Sequence, residues 1–150
     1  MFAGIFGQIV QNCEQNPHIT SLLREFNDSL AALSRSQTSA ELKSFIQRAC
    51  NQAEGLARSI PGIHGTTLGD ICSELKIWPH SAVKSALSNL YGFCSDYPGI
   101  RHAGNPKGQH RELELRDSVL ISLLLLAFSA YFMDSLDFDE IIGARESGRR

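Results

Sequence analysis

From Ser118 to Met133 the chain runs for 16 residues without a charged side chain, most of them in the stretch VLISLLLLAFSAYFM. So much contiguous apolar surface has to be taken out of water, by lipid or by the rest of the protein. A helix that crosses a bilayer needs roughly 20 such residues, and Asp117 and Asp134 close this run before that length is reached. The reading that remains is a buried central helix, apolar all round. Glu112 and Glu114 are placed in its first turn, where negative charge offsets the positive end of the helix dipole, and Arg116-Asp117 complete a polar entrance. Burial on every side calls for other helices around it, and 150 residues with 43% hydrophobic content suffice for one domain with its own core.

The surrounding helices can be read from three- and four-residue spacing. Phe2, Ile5, Phe6, Ile9 and Val10 form one apolar face, which Asn16-Pro17 ends. Pro17 opens a second helix carrying Ile19, Leu22, Leu23, Phe26, Leu30 and Leu33. Thr38 followed by Glu41 is a capping box for a third, whose stripe of Leu42, Phe45, Ile46, Ala49, Cys50, Ala53, Leu56, Ala57 and Ile60 stops at Pro61-Gly62, with its other face polar and wet. Thr67 and Asp70 open a short helix, Trp78-Pro79 make a corner in which Trp78 packs against the core, and a helix from His80 to Tyr91 follows. Phe138, Ile141 and Ile142 mark a last short helix before a tail ending in arginines. No strand pattern or internal repeat interrupts this sequence of helices. The expected fold is all-α, an up-and-down helical bundle forming a single domain over 1–150, with N-terminal helices in 1–60 and the later helices in 67–142.

Cys13, Cys50, Cys72 and Cys94 lie far apart with no C-x-x-C pair, which argues against a zinc site and for buried free thiols in a reducing cytoplasm. MFAGIFGQIV has no basic lead-in and no clear cleavage site, so it reads as a helix and not as a secretion signal. No phosphate loop, H-E-x-x-H or G-x-S-x-G motif occurs, and no metal or cofactor is implied.

Chemistry is concentrated between Leu90 and Arg116, LYGFCSDYPGIRHAGNPKGQHRELELR. Five side chains there can carry positive charge before the apolar helix begins, Arg101, His102, Lys107, His110 and Arg111, against the single acid Asp96 in the same loop. A polyanion such as RNA suits that loop, although the whole chain has a formal charge of -2. A solvated connection between helices would carry the same glycines, prolines and charges, with Arg101 in an exposed salt bridge to Asp96. His64, alone in a Gly-rich loop, reads as a solvated side chain.

The run LYGFCSDYPGIRHAG followed by a long apolar helix resembles the C-terminal region of abortive-infection-type proteins of the HEPN superfamily (higher eukaryotes and prokaryotes nucleotide-binding domain). The resemblance implies a compact, HEPN-like helical bundle that pairs as a homodimer and acts as a metal-independent endoribonuclease in a bacterial antiphage or toxin-type system, where a neutralising or sensor protein is a further partner. The family signature is an arginine, a polar residue next to it, and a histidine a few positions on. Arg101 and His102 match the first two, and His110, nine positions after Arg101 across AGNPKGQ, is the candidate for the third. Whether His102 or His110 transfers the proton stays open.

In such a site the ribose 2′-hydroxyl is the nucleophile, so the protein must remove its proton and stabilise charge growing on the phosphate. Imidazole suits the first task, and a guanidinium, which grips two phosphate oxygens at once, suits the second. The expectation is therefore catalysis by Arg101, His102 and His110, with Lys107, Arg111 and Asp96 on the substrate-binding side. The alternative is a non-catalytic nucleotide- or RNA-binding or dimerisation module, or an interaction subunit whose apolar helix packs into a larger assembly.

Overall fold

The computed structural model describes residues 2–14 and 16–133 together with residues 137 and 139. Among them are six α-helices and no strand. Helix α1 is Phe2–Cys13 and α2 is Pro17–Arg35, with Asn16 as the N-cap whose side chain accepts from the backbone amides of His18 at 3.0 Å and Ile19 at 3.4 Å. Helix α3, Ser39–Arg58, starts on the Thr38–Glu41 capping box, and α4, Leu68–Glu74, on an equivalent box between Thr67 and Asp70. The expected helix around Phe138, Ile141 and Ile142 and the arginine tail lie outside the described residues.

Two boundaries differ from the sequence reading. Helix α5 runs from Ser81 to Asp96, beyond Tyr91, because Cys94 continues the inward period of Leu87 and nothing breaks the helix before Tyr97-Pro98. Its N-cap is His80, whose Nδ1 accepts from the Ala82 amide at 3.1 Å. A 3₁₀ turn at Pro106–Gly108 precedes α6, Leu115–Tyr131. Glu114 is the N-cap of α6 and Glu112 lies outside the helix, its carboxylate accepting from Gln109 Nε2 at 2.9 Å. No helix of the described residues is long and apolar enough to cross a membrane.

The central helix is α3 and not α6. It packs most extensively against α2 and α6 and also meets α4 and α5, so residues before 60 and after 67 share one core around Phe45, Ile46, Ala53, Ile71, Leu87 and Leu125. The wet face expected of α3 is also partly buried, since Gln52 is fully enclosed and Glu54 is mostly so. Helix α6 is buried on one side only. That side carries Ser118, Ser122, Leu125, Ser129 and Ala130, while Val119, Leu120, Leu123 and Leu124 are exposed, Leu120 by 59%. A helix that is apolar all round takes no orientation from hydropathy, and here size decides: the small residues face the bundle and allow close approach to α3. Ser118 Oγ lies 3.5 Å from the Leu42 carbonyl, and Ser129 turns its hydroxyl back onto the Leu125 carbonyl at 2.8 Å. All four cysteines are buried and free. Trp78 stacks on Tyr131 with ring centroids 5.7 Å apart and donates to the Cys72 carbonyl at 2.9 Å, as its core-packing role requires.

Candidate functional site

After α5 the chain turns back on itself. The Gly99 amide donates to the His102 carbonyl at 3.0 Å, the Asn105 amide to the Asp96 carbonyl at 2.6 Å, and the Ile100 side chain is buried at the base. Gly104 has φ +69°, and a Cβ there would come within 2.5 Å of the Asp96 carbonyl oxygen, so only glycine closes this loop without a shift of backbone. The closed loop turns Arg101 toward the bundle and leaves His102 in solvent.

Arg101 reaches Glu54 of α3 and Tyr91 of α5. Its Nη1 lies 3.1 Å from Glu54 Oε2, an ion pair without an aligned hydrogen bond, and its guanidinium sits 4.7 Å over the Tyr91 ring. The Tyr91 hydroxyl donates to the same Oε2 at 3.2 Å, and Arg58 Nη2 approaches the other oxygen, Oε1, at 2.7 Å. Arg58 also donates to the Thr66 carbonyl. The side chains of Arg101 and Glu54 are only 16% and 13% exposed, whereas that of Arg58 is 49% exposed. Burial works against the Arg101 charge, but Glu54 and Tyr91 outweigh it and hold its pKa above the usual guanidinium value. Burial first, and then Glu54, raises the Tyr91 phenol. Cys50 is pushed up by its contact with Cys94 and by burial, so this thiol stays protonated. One carboxylate thus serves two guanidiniums, and the cluster keeps an excess positive charge.

The other candidates lie apart from it. Arg111 forms a two-point pair with Asp117, at 2.5 Å and 2.8 Å, and Asp117 Oδ2 also accepts from the Glu114 amide at 2.9 Å, so Arg111 ties down the start of α6. This pairing raises the Arg111 pKa and lowers Asp117 to about 2. His110 lines a shallow depression of about 230 Å³ with Phe93, Tyr97, Leu113 and Ile121. Lys107 is exposed on the 3₁₀ turn, and Asp96 is exposed with its backbone carbonyl engaged. Arg101 therefore pairs with Glu54 and not with Asp96, because the loop turns it inward. Among the described residues no hydrogen bond, ion pair or ring contact joins Arg101 to His102 or His110. Nor do they contain a group of three or more His, Cys, Asp or Glu side chains placed to hold a metal ion.

Glu54, Arg58 and Tyr91 did not emerge from the sequence. They lie on α3 and α5, far from the loop in sequence, and the one local signal was a Glu54–Arg58 pair one helical turn apart. Comparison with protein-family models, curated proteins and solved structures returns no match to this chain.

Proposed function

We propose that the chain is a metal-independent endoribonuclease, built on an up-and-down, HEPN-like bundle and acting in a bacterial antiphage or toxin-type system. The observation that carries this reading is the pair of guanidiniums around the single Glu54 carboxylate, next in the chain to the exposed imidazole of His102. The excess charge attracts a phosphodiester, and Arg58, half exposed, exchanges its contacts with Glu54 and the Thr66 carbonyl for a phosphate oxygen while Arg101 stays anchored on Tyr91. A histidine takes the 2′-hydroxyl proton, the 2′-oxygen bonds to phosphorus, and the 5′-oxygen leaves as it gains a proton. The products are a 2′,3′-cyclic phosphate and a 5′-hydroxyl. His102 follows Arg101 in the chain and is exposed, as are Lys107 and His110 further along the loop. Arg111 contacts RNA only at the expense of its pair with Asp117. Incubating the purified chain with mixed RNA in EDTA and analysing the new ends tests this: cyclic-phosphate ends, lost in His102→Ala, are expected, and intact RNA rejects the reading.

A second reading, a non-catalytic RNA- or nucleotide-binding module, is favoured by one specific observation. Both loop arginines are held by carboxylates of the same chain. Under that reading affinity falls in graded steps as charges are removed and no variant changes a cleavage rate.

A further inference from the structure

Lys43 stands on α3 where the loop closes against that helix. Gly99 has φ +82°, and a Cβ there would meet Lys43 Cδ at 3.4 Å and Nζ at 3.6 Å, so the lysine stem lies along the Gly99 backbone. The Gly99 amide donates to the His102 carbonyl at 3.0 Å, which puts the Lys43 ammonium beside the turn that carries Arg101 and His102. The same Nζ lies 5.7 Å over the ring of Tyr97, whose hydroxyl is fixed on the Arg111 carbonyl at 2.9 Å. What sets Lys43 apart is the lack of an anion. Arg58 and Arg101 share Glu54, and Arg111 is paired with Asp117. Among the described residues Lys43 has no carboxylate within ion-pair distance and no hydrogen bond, although its side chain is partly buried. Glu112 reaches Ser39, one turn earlier on α3, at 3.5 Å, and accepts from Gln109.

Resting on the reading that RNA is bound at this loop, we propose that Lys43 is a phosphate contact of the site, its ammonium donating to a non-bridging oxygen of the RNA backbone. Arg58 reaches a phosphate only by giving up Glu54 and the Thr66 carbonyl, whereas Lys43 gives up only the face of a ring. Arg101 Nη1 is closed to solvent. A stem already packed on Gly99 and Tyr97 also loses little freedom when its ammonium binds.

The test uses the whole chain and a fluorescein-labelled single strand of 2′-O-methyl RNA, which the proposed chemistry cannot cut, with affinity followed by anisotropy from low to high salt. Lys43→Met keeps the packed stem and removes the charge. It should weaken binding about fivefold at low salt and reduce the dependence of log K on log salt by about 0.7, the share of one phosphate on a single strand. Lys43→Arg should keep the wild-type slope, and so should Lys76→Met, at an exposed lysine of the α4–α5 connection. A wild type that does not bind the strand, an unchanged slope in Lys43→Met, or an equal loss in Lys76→Met overturns the proposal. If Lys43→Met does not fold, acetylation of the wild type by N-hydroxysuccinimidyl acetate decides: RNA should protect Lys43 and not Lys76, and equal modification of Lys43 with and without RNA overturns the proposal. Unmodified RNA separates the two readings. A slope loss confined to Lys43→Met with no cleavage supports the Lys43 contact and rejects the nuclease, whereas cleavage with an unchanged slope rejects the contact and leaves the nuclease standing.

Discussion

Arg101 is the residue at which stability and the proposed chemistry meet. An exposed pair with Asp96 would be worth about 0–1 kcal/mol, but pairing with the mostly buried Glu54 changes that expectation. Removing one partner of a buried pair costs about 3–5 kcal/mol, and Arg58 still serves Glu54 here, so Arg101→Ala is predicted to lose about 1–3 kcal/mol. Chemical denaturation measures this. Arg101→Lys keeps the charge but loses the planar contact with Tyr91, so under the nuclease reading it should fold and lose most of its rate. His102→Ala and His110→Ala made separately decide which imidazole transfers the proton. The larger rate loss is predicted at His102, the immediate neighbour of Arg101, and a larger loss at His110 would move the chemistry to the depression beside Tyr97. That this loop is basic was legible from the loop itself, because glycine, proline and basic residues announce a positively charged connection. Glu54 was not legible. A carboxylate on a helix face that looks polar gives no sign of a partner that only the fold brings to it.

Among the elements, the helices with one apolar face and a capping box were readable down to their first residues, as α3 and α4 were, because both signals are local. Helix α6 was readable as a helix and misread in orientation, since leucines on all sides do not say which face is buried and the serines that settle it look polar. Its N-terminus yields a prediction about pH. The Asp117 carboxyl, at about 2 in the folded chain, is depressed first by its hydrogen bonds with Arg111. The resulting stabilisation is fully present above the unfolded aspartate value of about 3.9 and is lost as pH falls through about 2. Asp117→Asn should therefore lower thermal stability at pH 7, by about 1 kcal/mol for a surface-facing pair, and the gap from wild type should close between about pH 4 and pH 2. A gap that is constant over that range would detach the stabilisation from the Asp117 charge.

For the molecule as a whole, the outward face of α6 bears on assembly. Leu120 and Leu124 are exposed there, and on the proposed reading this ridge joins two copies into a homodimer. Light scattering should return a dimer mass for the wild type and a monomer mass for Leu120→Glu, and a monomeric wild type at high micromolar concentration would remove the dimer from the account. RNA binding should weaken as salt rises, with Lys107→Ala reducing the slope by about 0.7–0.9, the share of one phosphate contact. The central claim is attack by the ribose 2′-hydroxyl, and one measurement addresses it directly: cleavage, in EDTA, of an RNA oligonucleotide with a single 2′-deoxyribose at its mapped cleavage position, beside the all-ribose strand. The account predicts that the all-ribose strand is cut and that the substituted strand is bound equally well and left whole at that position. Cleavage of both strands at the same position, or of neither, would contradict it.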